Sequence, residues 1–131
     1  NTQYSITATN VGVGGTSASS GSRTEYTKPN APSLSSNATA TTTLTVTVNN
    51  SNPNGSMALA KYLVNVGTSS GATDVKNGEE HNPTQTAADS TTSTFQITGL
   101  TTETQYYIKA SQYAQSSEVS ALSSEITMTT D

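Results

Sequence analysis

Apolar and polar residues alternate along most of this chain, and no long segment has apolar residues at helical spacing. The clearest run lies between Thr43 and Val48, where Leu44, Val46 and Val48 would share one face and threonines the other. A period of two is typical of a strand with one buried face. The run therefore predicts a half-buried β-strand, which the turn-forming residues 49–55 end.

Shorter runs of the same kind follow. Their predicted inward residues are Tyr62, Val64 and Val66, then Phe95 and Ile97, then Tyr106, Ile108 and Ala110, and finally Ile126 and Met128 in a strand over about 125–130. Within the polar stretch 67–93, residues 73–76 predict a short edge strand. Short strands separated by polar turns are typical of an antiparallel sandwich. The sequence thus predicts an all-β fold, an immunoglobulin-like antiparallel β-sandwich.

The composition agrees with a β protein whose surface is rich in hydroxyl groups. Hydrophobic residues make up 31% of the chain and charged residues 11%, and the net charge is −4. Disordered chains usually combine low hydrophobicity with high net charge, whereas threonine, abundant here, suits a pleated surface. Few lysines and many Ser, Thr and Asn residues lead us to expect an extracellular or cell-surface protein.

Several classes of function do not fit the sequence. With no cysteine there is no disulfide, catalytic thiol or cysteine-based zinc site. A mildly acidic chain with one arginine lacks the basic surface that binds nucleic acid. No apolar run approaches the roughly 18 residues of a membrane span, so we expect no membrane insertion. A start at Asn1 rather than at Met leads us to expect a processed product or an excised segment.

An internal repeat divides the chain. Residues 2–8 match residues 104–110 at an offset of 102 positions, and an ungapped match continues until Tyr26 meets Met128. We therefore predict that residues 1–29 are the last two strands of a preceding copy and that residues 30–131 form a complete domain. Because an isolated two-stranded hairpin is marginally stable in water, the first segment is expected to need a partner.

The second half of the chain resembles the fibronectin type III family. The resemblance lies in Leu100, followed at the family's spacing by Tyr106-Tyr107-Ile108-Lys109-Ala110, in Tyr62-Leu63-Val64, and in Pro32 near the domain start. It covers residues 30–131 as a whole domain and 1–29 as the F–G hairpin. The resemblance implies that Leu100, Tyr106, Ile108 and Ala110 define the fold, with Tyr4 and Ile6 in the same roles in the preceding copy.

Two features follow from this resemblance. The Tyr106 hydroxyl is expected to bond to a nearby backbone group in a tyrosine corner. The family usually has a tryptophan in its second strand, but this chain has none, and Val48 takes its place in the alternation. The aromatic share of the core is therefore expected from Tyr62, Phe95 and Tyr106.

One cluster could carry chemistry. His81 follows Glu79 and Glu80, and a metal site or an acid–base pair would use such residues. Asn-Gly before the cluster and Asn-Pro after it instead predict a solvated, turn-rich loop, and the chain has no second histidine. We expect no catalytic residue, metal, cofactor or enzymatic activity.

Other residues are candidates for binding. Tyr107 is predicted to point outward and Tyr113 to begin the last loop, where aromatic rings can contact a protein or a sugar. Asn37, Asn49 and Asn54 each begin a glycosylation acceptor sequence.

The favoured hypothesis is a structural and interaction module that spaces, adheres or assembles into filaments through sandwich repeats. Strand donation from residues 1–29 would join it to protein partners, either neighbouring repeats or further copies of the chain. The alternative is a carbohydrate-binding or adhesion accessory module of a larger secreted enzyme or adhesin.

Overall fold

A computed structural model describes residues 3–49, 59–83, 92–114 and 118–131. Over these ranges every strand pairing is antiparallel. The strands are β1 (Gln3–Ile6), β2 (Val11–Gly12), β3 (Gly15–Thr16), β4 (Arg23–Tyr26), β5 (Ser33–Ala40), β6 (Thr43–Asn49), β7 (Leu59–Gly67), β8 (Lys76–His81), β9 (Thr92–Thr98), β10 (Gln105–Ala114) and β11 (Ile126–Thr129).

Seven of these strands, β5 to β11, form two sheets. One sheet has the order β5-β6-β9 and the other the order β11-β10-β7-β8. The chain crosses from one sheet to the other three times, between β6 and β7, between β8 and β9, and between β9 and β10. This is the Greek-key arrangement of an immunoglobulin-like sandwich, so the predicted fold class is confirmed.

The core lies between the two sheets, because alternate residues of the strands point into it. Val48, in the place of the family's tryptophan, is fully buried. The three predicted core aromatics are buried as well, and the Tyr62 and Phe95 rings lie 6.4 Å apart. The buried cluster comprises Leu44, Val46, Val48, Tyr62, Val64, Val66, Phe95, Ile97, Leu100, Tyr106, Ile108, Ala110 and Met128.

The tyrosine corner forms where β10 begins. The backbone N–H of Thr101 donates to the Tyr106 hydroxyl over 2.9 Å. The neighbouring Leu100 is buried, and its N–H donates to the Thr42 carbonyl in the turn between β5 and β6. The expected tyrosine corner is therefore confirmed. The Leu100 bond joins the chain entering β10 to the opposite sheet.

The sequence placed one edge strand wrongly and did not predict another. Residues 73–76 were expected to form a strand, but the strand begins at Lys76. Asp74 instead closes a turn, because its carboxylate accepts from the Thr68 N–H (3.0 Å) and hydroxyl (2.7 Å). Strand β5 was not predicted because its sequence, SLSSNATA, lacks apolar alternation and is mostly exposed.

Candidate interaction surfaces

Residues 3–26 fold into a hairpin with its own small sheets. Strand β1 pairs with β4, and β2 pairs with β3 near the turn. Two serines reinforce the hairpin from the returning chain. The Ser20 hydroxyl accepts from the Ala8 N–H and the Ser17 hydroxyl accepts from the Asn10 N–H, each over 2.9 Å.

The C-terminal hairpin repeats these bonds at equivalent positions. The Ser123 hydroxyl accepts from the Ala110 N–H over 3.1 Å, and the Ser120 hydroxyl accepts from the Gln112 N–H over 3.0 Å. Each serine also pairs through its backbone N–H with the carbonyl of the same partner residue, as Ser17 and Ser20 do. The repeat therefore extends from sequence to individual hydrogen bonds.

The ungapped register predicted for this repeat is wrong by one residue after the turn. Asn10 and Gln112 are 102 positions apart, whereas their serine partners Ser17 and Ser120 are 103 apart. The reason is the turn itself, because Val11 pairs with Thr16 in one hairpin while Tyr113 pairs with Val119 in the other. The sequence between the paired positions is one residue longer in the C-terminal hairpin.

The two hairpins differ most in burial. Tyr106 and Ile108 are 3% and 0% exposed because the β5-β6-β9 sheet covers them. Their equivalents Tyr4 and Ile6 are 54% and 52% exposed. Tyr4 and Ile6 alternate along β1, the exposed Ala8 follows two residues later, and we call these three residues the hairpin face. In this structure the face is uncovered.

The returning strand gives the hairpin face a charged half. In the pairing of β1 with β4, Glu25 stands opposite Tyr4 and Arg23 opposite Ile6. Arg23 and Glu25 form an ion pair. The same positions of the C-terminal hairpin carry Met128 and Ile126, which pair with Tyr106 and Ile108. The apolar hairpin face therefore lies beside the ion pair of Arg23 and Glu25.

Tyr107 lies on the outer face of the four-stranded sheet, beside a cavity of about 50 Å³. The cavity is lined by Asn65, Gly71, Ala72, Thr73, Tyr107, Lys109, Leu122 and Glu125. Small-molecule pockets usually have volumes of roughly 300–1,000 Å³, so this one is too small to enclose a sugar. Tyr107 is half-buried, and its hydroxyl bonds to Gln105 over 3.2 Å.

Tyr113 lies at the other end of β10, within the strand rather than at the start of a loop. The Lys61 ammonium lies 5.0 Å from the centre of its ring, a cation–π contact. Lys61 also pairs with Glu80 on β8. The ring is therefore half-buried and already contacts a cation, and the structure does not bring Tyr113 and Tyr107 into one site.

Glu125 holds the loop after β7 against the outer face. Its carboxylate accepts from the Ser70 hydroxyl (2.7 Å) and the Gly71 N–H (2.9 Å), and it pairs with Lys109 at 3.1 Å. These bonds, the one from Ser70 foremost, lower the pKa of Glu125 below its usual range. The carboxylate works as a structural clamp.

The loop expected around His81 is instead strand β8, so that prediction is wrong. Glu80 is exposed, while Glu79 and His81 are half-buried, with 3.0 Å between His81 Nε2 and Glu79 Oε1. The imidazole stacks on Phe95 at 4.3 Å between ring centres. Burial lowers the pKa of His81 in spite of Glu79. Within the described ranges no three His, Cys, Asp or Glu side chains are placed to hold a metal.

The acceptor asparagines have different surroundings. Asn37 is exposed on β5, and its carboxamide donates to the Thr47 hydroxyl over 3.1 Å. Asn49 is half-buried at the end of β6, between Ser33 and Thr92 on the flanking strands. Asn54 lies outside the described residues.

Among the residues described, no helix is long and apolar enough to cross a membrane.

Comparisons with known proteins bear on the fold. No family model matches the chain, and no curated protein does. Among solved structures, the FN1–FN3 domains of chicken CNTN1 match 98% of this chain with a TM-score of 0.59 and 13% identity. The match covers 41% of that structure, so the chain spans about two fifths of its length. A myokine structure matches 79% of this chain over 98% of its own length, with a TM-score of 0.57 and 13% identity. With its strand order and tyrosine corner, the chain has the fibronectin type III fold.

Proposed function

We propose that this chain is a structural and interaction protein of tandem type III-like sandwiches, working outside the cell or at its surface. Residues 30–131 form one complete sandwich, and residues 1–29 are the F–G hairpin of a preceding one. Its role is to space, adhere or assemble into filaments through protein contacts. Such contacts use sheet edges and uncovered faces rather than a catalytic cleft.

Two observations support this division of the chain. In the described residues, β1 to β4 share no sheet with β5 to β11. The fraction of this chain that each solved structure matches also agrees with the division. Residues 30–131 make up about four fifths of the chain. The myokine structure matches 79% of this chain, while the multidomain CNTN1 structure matches 98%.

The observation that carries the proposal is the exposure of the hairpin face. Tyr4 and Ile6 have about half of their surface exposed, although their equivalents Tyr106 and Ile108 are buried. Fully burying a large apolar side chain contributes roughly 1.5–3 kcal/mol. A second sheet that covers this face would therefore be stabilised by it, whether it belongs to a neighbouring repeat or to another chain.

The hairpin adds its strands to a partner. It does not take the place of β10 and β11 in another copy of the sandwich. In such an exchange Glu25 would occupy the site of Met128, which is 5% exposed, and Arg23 would occupy that of Ile126. Moving an ion pair into an apolar core costs more in desolvation than the attraction usually returns. The partner sheet should instead cover the apolar row and leave the ion pair at the solvent-exposed rim.

The test measures association of the full chain. Light scattering over a concentration series, with electron microscopy, should show self-association of the native chain. The double variant Tyr4→Ser, Ile6→Ser should weaken it at least about tenfold, equivalent to roughly 1.4 kcal/mol. Val13→Ser is the matched control, because Val13 lies fully exposed in the hairpin turn and outside the hairpin face. A chain that stays monomeric at every concentration, with a protease-sensitive N-terminus, would contradict strand donation.

The carbohydrate-binding alternative receives less support. The cavity beside Tyr107 is small, and the Tyr113 ring already contacts Lys61. The Lys61 ammonium lies over the Tyr113 ring, on the aromatic surface that a sugar would use for stacking.

A further inference from the structure

Strand β8 contains an asparagine–glycine pair in an unusual backbone position. Asn77 is exposed, and Gly78 has a φ of 69°, in the left-handed region. The pairing of β7 with β8 shifts register between Val64 and Val66, so Asn65 stands across from the pair at a bulge. Glycine suits this position because a residue without a Cβ adopts a positive φ at little steric cost.

The Asn65 side chain fills this bulge. Its carboxamide oxygen, Oδ1, accepts from the Gly78 backbone N–H over 2.7 Å, and the bond is partly buried. This N–H is the atom that matters chemically. In an Asn–Gly pair the glycine nitrogen can attack the side chain of the asparagine before it, since glycine offers no steric obstruction.

The reaction is an internal cyclisation. The Gly78 nitrogen loses its proton and forms a bond to Cγ of Asn77, giving a five-membered succinimide. The bond between Cγ and Nδ2 breaks, and Nδ2 takes up the proton and leaves as ammonia. Solvent water then opens the ring to aspartate or to isoaspartate. No oxidant or reductant takes part.

We propose that Asn77 is a latent deamidation site and that Asn65 keeps it unreacted. As long as the Gly78 N–H is bonded to Oδ1 of Asn65, its proton is retained and its nitrogen is held in place at the bulge. Strand β8 is an edge strand, paired within the described residues only with β7, so this bond protects a place where the sheet opens readily.

The product would disturb the strand in two ways. Isoaspartate lengthens the backbone by one carbon, which would separate Glu79 from His81 and displace His81 from Phe95. The new carboxylate would also add negative charge next to Glu79 and Glu80. The inference does not depend on the proposed function, although a protein with a long working life would benefit from such protection.

The experiment incubates the full chain at mildly alkaline pH, below its melting transition, and follows conversion of Asn77 by peptide mapping. The chain's other Asn–Gly pair, Asn54-Gly55, is measured in the same digest, and a sample in urea gives the unprotected rates. Asn77 should react several-fold more slowly in the folded chain than in urea. Asn65→Val, which removes the acceptor, should raise its rate several-fold.

Two matched variants separate the bond from general loosening. Asn65→Asp keeps an acceptor oxygen and should leave Asn77 protected. Lys61→Ala removes the ion pair with Glu80 on the same strand but leaves the Gly78 bond, so it too should leave the rate unchanged.

Thermal melts confirm that each variant is folded, and Asn65→Ala replaces Asn65→Val if the latter does not melt cooperatively. Equal rates for Asn77 in folded and urea-treated native chain would overturn the proposal. An unchanged rate in folded Asn65→Val or Asn65→Ala, or equal acceleration by Lys61→Ala, would overturn it as well.

Discussion

At the scale of single residues, burial decides what each side chain does. Tyr4 and Tyr106 occupy the same place in the repeat, yet one is half exposed and the other is buried with its hydroxyl bonded to Thr101. The difference lies in the opposing sheet and not in the tyrosine. An aromatic at this position stabilises the fold where it is covered and is free for a partner where it is not.

His81 is the residue at which pH should matter. Burial lowers its pKa in the folded chain, so the unfolded chain binds the proton more readily. The contribution of His81 to the free energy of unfolding is therefore fully present above the ordinary histidine pKa of about 6.5, and it falls as the pH decreases below that value. Urea unfolding between about pH 7.5 and 5.5 should show this decline.

His81→Phe, which keeps the stack on Phe95, should abolish the decline. The chain has one histidine, so the comparison is clean. Glu79 does not interfere, because its pKa is lowered, chiefly by the Lys76 bond, and its contribution is lost only at more acidic pH, below its ordinary value. An equal slope in both proteins would show that His81 is not the group responsible.

At the scale of elements, the loop after β7 depends on a close approach of two backbones. A Cβ added to Gly67 would overlap the carbonyl group of Ala72, which folds back over the end of the strand. Gly67→Ala should therefore destabilise the sandwich by about 1–3 kcal/mol, the usual effect of overpacking. Chemical unfolding measures the change.

Gly21→Ala serves as the control for this substitution, because nothing lies near the added Cβ. Its free energy of unfolding should stay within about 0.5 kcal/mol of the native value, as for most surface changes. If both variants behaved alike, the close contact at Gly67 would have no energetic effect.

The elements that sequence predicts are those with apolar alternation. Strand β6 was predictable because Leu44, Val46 and Val48 all face the core. Strand β8 was not, because its sequence, KNGEEH, is held by ion pairs and backbone bonds and reads locally as a turn. The hairpin register was missed for a related reason, since the extra residue falls in a polar stretch of sequence without any periodicity.

At the scale of the whole molecule, the hairpin and the sandwich meet through a short connection. Pro29 and Pro32 are buried there, and the Asn30 carbonyl accepts from the Gln112 carboxamide over 2.5 Å. Gln112 is a polar residue on the core side of β10, and it is only 1% exposed. This bond satisfies the amide nitrogen of Gln112, while its Oε1 is buried without a hydrogen-bond partner among the described residues.

The connection allows a test of whether the sandwich folds without the hairpin. Deleting residues 1–26 removes β1 to β4, which share no sheet with the rest, and keeps Pro29 and Asn30. The shortened chain should therefore keep the melting temperature of the full chain.

Deleting residues 1–32 also removes the acceptor for Gln112, and a buried polar group left without its partner costs about 1–3 kcal/mol. For a domain of this size that lowers the melting temperature by several degrees, roughly 4–8 °C per kcal/mol. Calorimetry of the three chains distinguishes the cases. An equal loss in both deletions would mean that the hairpin packs on the sandwich and is not the end of a separate repeat.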